Sequence, residues 1–188
     1  MISAAVLAGG ASTRMGRDKA LITHAGRTLV EHVIDRLRPV SDDVFVVTKH
    51  PDVLDHIDVP VVADRKDVQT PLAGIATALR AARHARVFVC ACDMPFVSPE
   101  LVHYLTERLG SHDAVVPRCD GRPESSHALW SSHIADAVDL ALATGERAVH
   151  RVLEKLDTLW VDEPEWRTID PDRASFVNVN TPEDLARL

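Results

Sequence analysis

Between positions 7 and 19 the chain reads Leu7-Ala8-Gly9-Gly10-Ala11-Ser12-Thr13-Arg14-Met15-Gly16-Arg17-Asp18-Lys19, which sets a glycine pair and the cations Arg14 and Lys19 directly behind an apolar run. That combination suits an oligophosphate. Adjacent glycines let the backbone turn sharply and approach a ligand without a Cβ in the way, so amide N–H groups face outward while the cations neutralise phosphate oxygens. Two other glycine loops are excluded by spacing. A Walker loop needs four residues between its glycines and then Lys-Ser/Thr, whereas five residues separate Gly10 from Gly16 and Arg17 follows. The G-x-G-x-x-G dinucleotide fingerprint does not occur. A bare Gly-Gly is more often an ordinary turn, and it is the full string that carries the phosphate reading.

Asp93 follows the apolar run Val87 to Cys90 and precedes Met94-Pro95, so its carboxylate is held where regular structure stops. A Mg²⁺ ion facing a triphosphate needs only one or two such carboxylates, with waters and phosphate oxygens completing the shell. An isolated aspartate before a turn is otherwise a cap or turn residue. Asp64 ends another strand-like run and could hydrogen-bond a base, a sugar or a metal-bound water. Gly74, lacking a side chain, could admit a flat base or let a helix pack closely on the sheet. Arg147 offers a planar fork suited to phosphate, and Asn178 and Asn180, at i and i+2 of an extended run, point to one face. Exposed helix arginines and turn asparagines are the common alternative for those three.

Short valine-rich runs at Ala4 to Leu7, Val44 to Val47, Val59 to Val62, Val87 to Cys90 and Ala114 to Val116 predict strands covered on both faces. Helical stripes lie between them. Leu29, Val33, Ile34 and Leu37 mark one, Leu72, Ile75, Ala76 and Leu79 a second, and Ser98-Pro99-Glu100 opens a third carrying Leu101, Leu105 and Leu109. The alternation predicts an α/β fold with a mostly parallel, doubly wound sheet, whose ligands bind outside the carboxyl ends of the strands. Beyond Gly110 the regularity weakens: a turn at Asp120-Gly121-Arg122-Pro123, helices over Ile134 to Leu142 and Glu146 to Leu156, and a capped helix start at Thr181-Pro182-Glu183-Asp184.

The length of 188 residues suits one domain, with a nucleotide half over about 1–110 and an acceptor half over about 111–188. A net charge of −7 argues against nonspecific nucleic-acid or anionic-membrane binding. No apolar run approaches the roughly 20 residues of a spanning helix and no signal-peptide pattern opens the chain, so the cytoplasm is the expected location. Cys90, Cys92 and Cys119 give an odd count without a zinc-site pattern, which favours reduced thiols over disulfides or metal.

The first loop resembles the signature of the molybdenum cofactor guanylyltransferase family, a group of Rossmann-like, three-layer nucleotidyltransferases: LAGG, a spacer, RMG, then a lysine. The likeness recurs at Cys92-Asp93-Met94-Pro95 (CDxP), at Thr70-Pro71-Leu72-Ala73-Gly74 (GPLAG, with Thr70 for the first glycine), at Gly145-Glu146-Arg147 (GER) and at Phe176 to Leu185 (FVNVNTPEDL). It implies GTP as substrate, Mg²⁺ on Asp93, and catalytic roles for Arg14, Lys19 and Asp93. It also implies nucleotide contacts from Leu7, Ala8, Gly9, Gly10, Lys19, Asp64, Gly74 and Asp93, and acceptor contacts from Arg147, Asn178 and Asn180. The acceptor would be molybdopterin carrying molybdenum, and molybdoenzymes or their chaperones would receive the product. Thr48 and Lys49 stand where close relatives have an asparagine that touches the nucleotide, and neither is assigned. Glu124-Ser125-Ser126 departs from the family's Gln-Pro-Leu.

Alternatives within the fold are CMP transfer to a pterin, or GMP transfer to another phosphorylated acceptor such as a cobinamide. The pyrimidine-using relatives tend to have LAAG, which favours guanine here. A nucleotide-binding regulator without catalysis is the reading from another class. Lys19 and Asp93 together argue against it, because a mere binder needs no cation opposite a metal ligand.

Overall fold

A computed structural model describes residues 1–9, 19–64, 66, 68–179 and 184, with Lys19 described by its backbone alone. In chain order the elements are β1 (Ser3–Leu7), β2 (Thr23–His24), β3 (Arg27–Thr28), α1 (Leu29–Leu37), β4 (Asp43–Thr48), β5 (Val61–Ala63), α2 (Pro71–Ala81) and β6 (Arg86–Ala91). They continue with α3 (Pro99–Arg108), β7 (Ala114–Cys119), β8 (Arg122–Pro123), β9 (His127–Ser131), α4 (Ala135–Ala143), α5 (Val149–Leu153), β10 (Thr158–Val161) and α6 (Glu163–Trp166). The main sheet runs β10-β7-β9-β6-β1-β4-β5, with β8 paired to β7, and β2 and β3 form a separate hairpin.

The strand pairings make this sheet mostly parallel. β1 lies parallel to both β4 and β6, β4 to β5, and β7 to β10, while β9 runs antiparallel between β6 and β7. Because β9 reverses direction twice over, β7 and β6 point the same way. All strands but β9 and the short β8 therefore end at one edge.

Strand alternation divides the core into two layers. Ala4, Val6, Val44, Val46, Phe88 and Cys90 pack under α1 and α3, whereas Ala5, Leu7, Phe45, Val47, Val87 and Val89 pack under α2 and α4. Both faces are covered, which is why these strands read as unbroken apolar runs rather than as alternating ones. Helix starts follow local chemistry. Thr28 and Glu31 form a reciprocal capping box on α1, Thr70 accepts from Leu72 N on α2, and Ser98 accepts from Leu101 N on α3.

In the first half every expected strand and helix is found, with β5 at Val61–Ala63 rather than Val59 to Val62 and the β2–β3 hairpin unexpected, and the second half adds what periodicity does not reveal. Asp120 and Gly121, both at positive φ (51° and 73°), turn β7 into β8 as a tight hairpin. β9 begins at a buried histidine and was not expected from the pattern. The helix expected over Glu146 to Leu156 is shorter, because the Glu146 carboxylate accepts from Arg147 N (2.8 Å) and Ala148 N (2.9 Å) and holds those residues in a turn. The helix start expected at Thr181 to Glu183 lies outside the described residues.

Candidate active site

Three parallel strands end side by side, and the candidate site lies along their ends. Leu7 O at the end of β1 accepts from Cys92 N (3.1 Å), just beyond β6, and Ala8 N donates to Val47 O of β4 (2.8 Å). Gly9 and Asp93 therefore follow neighbouring strands at the same edge. Asp93 is half-buried, and its carbonyl accepts from Val179 N (2.8 Å), so the chain's last described stretch crosses the mouth beside it. Asn178, exposed, sits on that crossing.

On the β4–β5 side a small cleft is lined by Leu7, Gly9, Thr48, Lys49, Asp64, Gln69, Thr70 and Gly74. Asp64 is fixed at its base: Thr77 Oγ1 donates to its Oδ1 (3.0 Å), as does Lys66 N (3.1 Å). Lys49 Nζ donates to Lys66 O (2.6 Å) and lies 3.8 Å from the other Asp64 oxygen. The result is a donor and an acceptor held together in a pocket with an apolar wall, an arrangement suited to reading the edge of a base. Gly74 serves the close packing. A Cβ there would meet Leu7 Cδ2 at 3.2 Å, so its absence lets the first turn of α2 settle on β1 and keeps that side of the cleft open.

Thr70 ties the cleft to the second half of the chain, since its hydroxyl donates to Arg147 O (2.7 Å). The Arg147 guanidinium turns back to the carbonyls of Leu142 (2.9 Å) and Glu146 (2.7 Å), where a cation favours the C-terminus of α4. Arg147 thus borders α2, while Asn178 borders Asp93.

Leu7, Ala8, Gly9, Asp64, Gly74 and Asp93 all reach this edge. Gly10, Arg14 and Asn180 lie outside the described residues, as does the side chain of Lys19. Lys49 is a cleft residue that sequence reasoning left unassigned. Its position directly after β4, at the carboxyl end of a parallel strand, is the signal that points to it.

A carboxylate such as Asp93, half-buried beyond the end of β6, fits a hard cation such as Mg²⁺. Among the described residues no group of three or more His, Cys, Asp or Glu side chains could hold a metal by themselves. A hard cation that takes one carboxylate and draws its other oxygens from phosphate and water needs no such group. Cys90 and Cys92 beside it are buried, and burial pushes the Cys90 thiol far above its usual range, which leaves it inert.

Residues 4–159 match the family described as MobA-like NTP transferase domain. A probable molybdenum cofactor guanylyltransferase of Methanosarcina mazei is 36% identical over 99% of this chain and 89% of its own length. A molybdenum cofactor guanylyltransferase of Desulfosudis oleivorans is 32% identical over 99% of this chain and 93% of its own. Among solved structures, the molybdopterin-guanine dinucleotide biosynthesis protein A of Archaeoglobus fulgidus superposes with a TM-score of 0.85 at 30% identity, covering 100% of this chain and 96% of that one. The chain therefore belongs to the MobA-like NTP transferase family and is a nucleotidyltransferase.

Proposed function

We propose that this enzyme transfers GMP from GTP to molybdopterin carrying molybdenum, forming the guanine dinucleotide cofactor and releasing pyrophosphate. The carrying observation is the juxtaposition of Gly9 and Asp93 just beyond the ends of β1 and β6, joined by the Cys92 N to Leu7 O hydrogen bond of 3.1 Å.

In this mechanism the acceptor's terminal phosphate oxygen attacks the α-phosphorus of GTP. A new P–O bond forms as the bond to the β-phosphate breaks, and pyrophosphate leaves. The nucleophile is already anionic near neutral pH, so no strong general base is needed. Alignment and charge neutralisation do the work. The amides of Gly9 and Gly10 fix the nucleotide, Lys49 and Asp64 read the base, and Arg14 and Lys19 stabilise charge on the leaving pyrophosphate. Asp93 would hold Mg²⁺, which when bound supplies further neutralisation of phosphate oxygens. Arg147, Asn178 and Asn180 position the acceptor, so that residues 1–110 serve chiefly the nucleotide and 111–188 the acceptor. Among the described residues no helix is long and apolar enough to cross a membrane, and the cytoplasm is the proposed workplace, with a molybdoenzyme or its chaperone as recipient.

Pyrophosphate release measured with GTP, CTP and ATP, each with and without molybdopterin, tests the proposal. Release with GTP that depends on both Mg²⁺ and the pterin is the expected result. Release with CTP alone, or none with any nucleotide, would overturn it.

A further inference from the structure

The Lys49–Asp64 pair depends on a residue that does not itself line the cleft. Lys66 N donates to Asp64 Oδ1 (3.1 Å) and Lys66 O accepts from Lys49 Nζ (2.6 Å), so both side chains assigned to the base are oriented by the main chain of Lys66. The sheet carries that chain only as far as Asp64, whose N donates to Thr48 O (2.7 Å) just beyond the last β4–β5 pair. Beyond it the Lys66 side chain takes over. Its Nζ donates to Asp139 Oδ1 (2.6 Å) on α4, 73 residues away. This helix is a firm anchor, because Ala135, Val138 and Leu142 bury its inner face. Asp139 is braced in turn by Arg80 of α2, whose Nε (3.0 Å) and Nη2 (2.9 Å) donate to its other oxygen while Nη2 also pairs with Asp136. Burial pushes the Asp139 carboxyl up, but the hydrogen bonds from Lys66 and Arg80 outweigh it and hold the group below the usual carboxylate range.

A partly exposed ion pair contributes little to stability, so the bridge matters for placement. Without it, the hydrogen bonds left to Lys66 among the described residues are those with the two side chains it has to orient. We propose that Lys66 and Asp139 are positioning residues for purine selection: their bridge fixes the Lys49 ammonium and the Asp64 carboxylate side by side, 3.8 Å apart, as the edge of guanine requires. Guanine presents a carbonyl oxygen next to N–H donors, so a donor and an acceptor must be offered together. Adenine lacks that carbonyl, and a displaced Lys49 or Asp64 therefore loses discrimination between the two. This rests on the nucleotide reading above and extends it to α4, an element of the half assigned to the acceptor.

The test is equilibrium dialysis of the full chain with Mg·GTP, with Mg·ATP and, as a probe of the phosphate grip alone, with Mg·tripolyphosphate. Lys66→Met should lower affinity for GTP about 3- to 10-fold, as expected of coupling within one network, and narrow the GTP-to-ATP ratio by the same factor, with tripolyphosphate unchanged. Lys66→Arg keeps the cation and should restore most of the ratio. Asp139→Asn should match Lys66→Met, and the double variant should bind no more weakly than either; Asp139→Asn carries the test if Lys66→Met fails to fold by thermal melting. Arg80→Met separates placement from stability. It should lower the urea midpoint by loosening α2 from α4, yet keep the wild-type ratio, because the apolar face of α4 still holds Asp139 in place. An unchanged ratio in Lys66→Met and Asp139→Asn, an equal fall in tripolyphosphate affinity, or the same loss in Arg80→Met overturns this proposal alone. A wild-type protein that binds GTP and ATP equally, or binds neither, overturns the base reading with it.

Discussion

At the scale of single residues, Asp93 is the group on which turnover should depend most. It stands on a turn beyond β6, and its main chain is pinned by Val179 N, so truncating the side chain removes the charge while the backbone stays held. Asp93→Ala should lower kcat on the order of 10²- to 10³-fold, the range for losing one preorganised electrostatic contact. Steady-state kinetics with Mg²⁺ varied would check this, and near-normal turnover would remove Asp93 from the mechanism. Lys49 and Asp64 form a different kind of pair. Lys49→Met should raise KM for GTP with kcat little altered, because contacts to the base are made equally in ground and transition states.

At the scale of elements, α2 couples the nucleotide cleft to the rest of the molecule through its first residue. Thr70 caps the helix by accepting from Leu72 N (3.4 Å) and simultaneously donates to Arg147 O (2.7 Å). Thr70→Ala removes both contacts and should cost about 1–2 kcal/mol, readable as a lower midpoint in urea at an unchanged slope. Since the capped end of α2 also carries Gly74 against Leu7, KM for GTP should rise in the same variant. A change in stability with an unaltered KM would mean that the α2 terminus does not shape the cleft.

At the scale of the whole molecule, acid stability turns on one buried ring. His127 is fully buried between Phe88 and Phe176, with ring centroids 5.0 Å away on either side, and neither ring nitrogen has a hydrogen-bond partner among the described residues. Burial depresses its pKa from 6.5 to about 4, against a weaker opposing pull from Asp170. The unfolded chain therefore binds a proton on this ring below about 6.5 that the folded chain refuses until about 4. Stability is fully present above the unfolded value and falls as the pH drops between the two, by up to about 3 kcal/mol. Against a total of roughly 5–15 kcal/mol for a domain, that is a large fraction. His127→Leu should flatten the dependence in urea melts between pH 7 and 4, and should be neutral or stabilising at pH 7 because two orphaned polar atoms leave the core. An unchanged pH dependence in that variant would place the acid sensitivity elsewhere.

The amino-acid order by itself determined the local features: strands covered on both faces, where apolar runs are continuous, and helix starts, where Thr28, Thr70 and Ser98 supply oxygens to free amides. Those depend on neighbours a few residues away, so spacing exposes them. Tertiary structure alone decided that β9 slips in reversed between β6 and β7, that Arg147 folds back on α4, and that Lys49 sits beside Asp64 in the cleft. Such partners stand far apart in the chain, as Thr70 and Arg147 do, 77 residues from one another. No local pattern encodes them, because they are chosen by which faces the sheet must bury and which strand ends it must bring together.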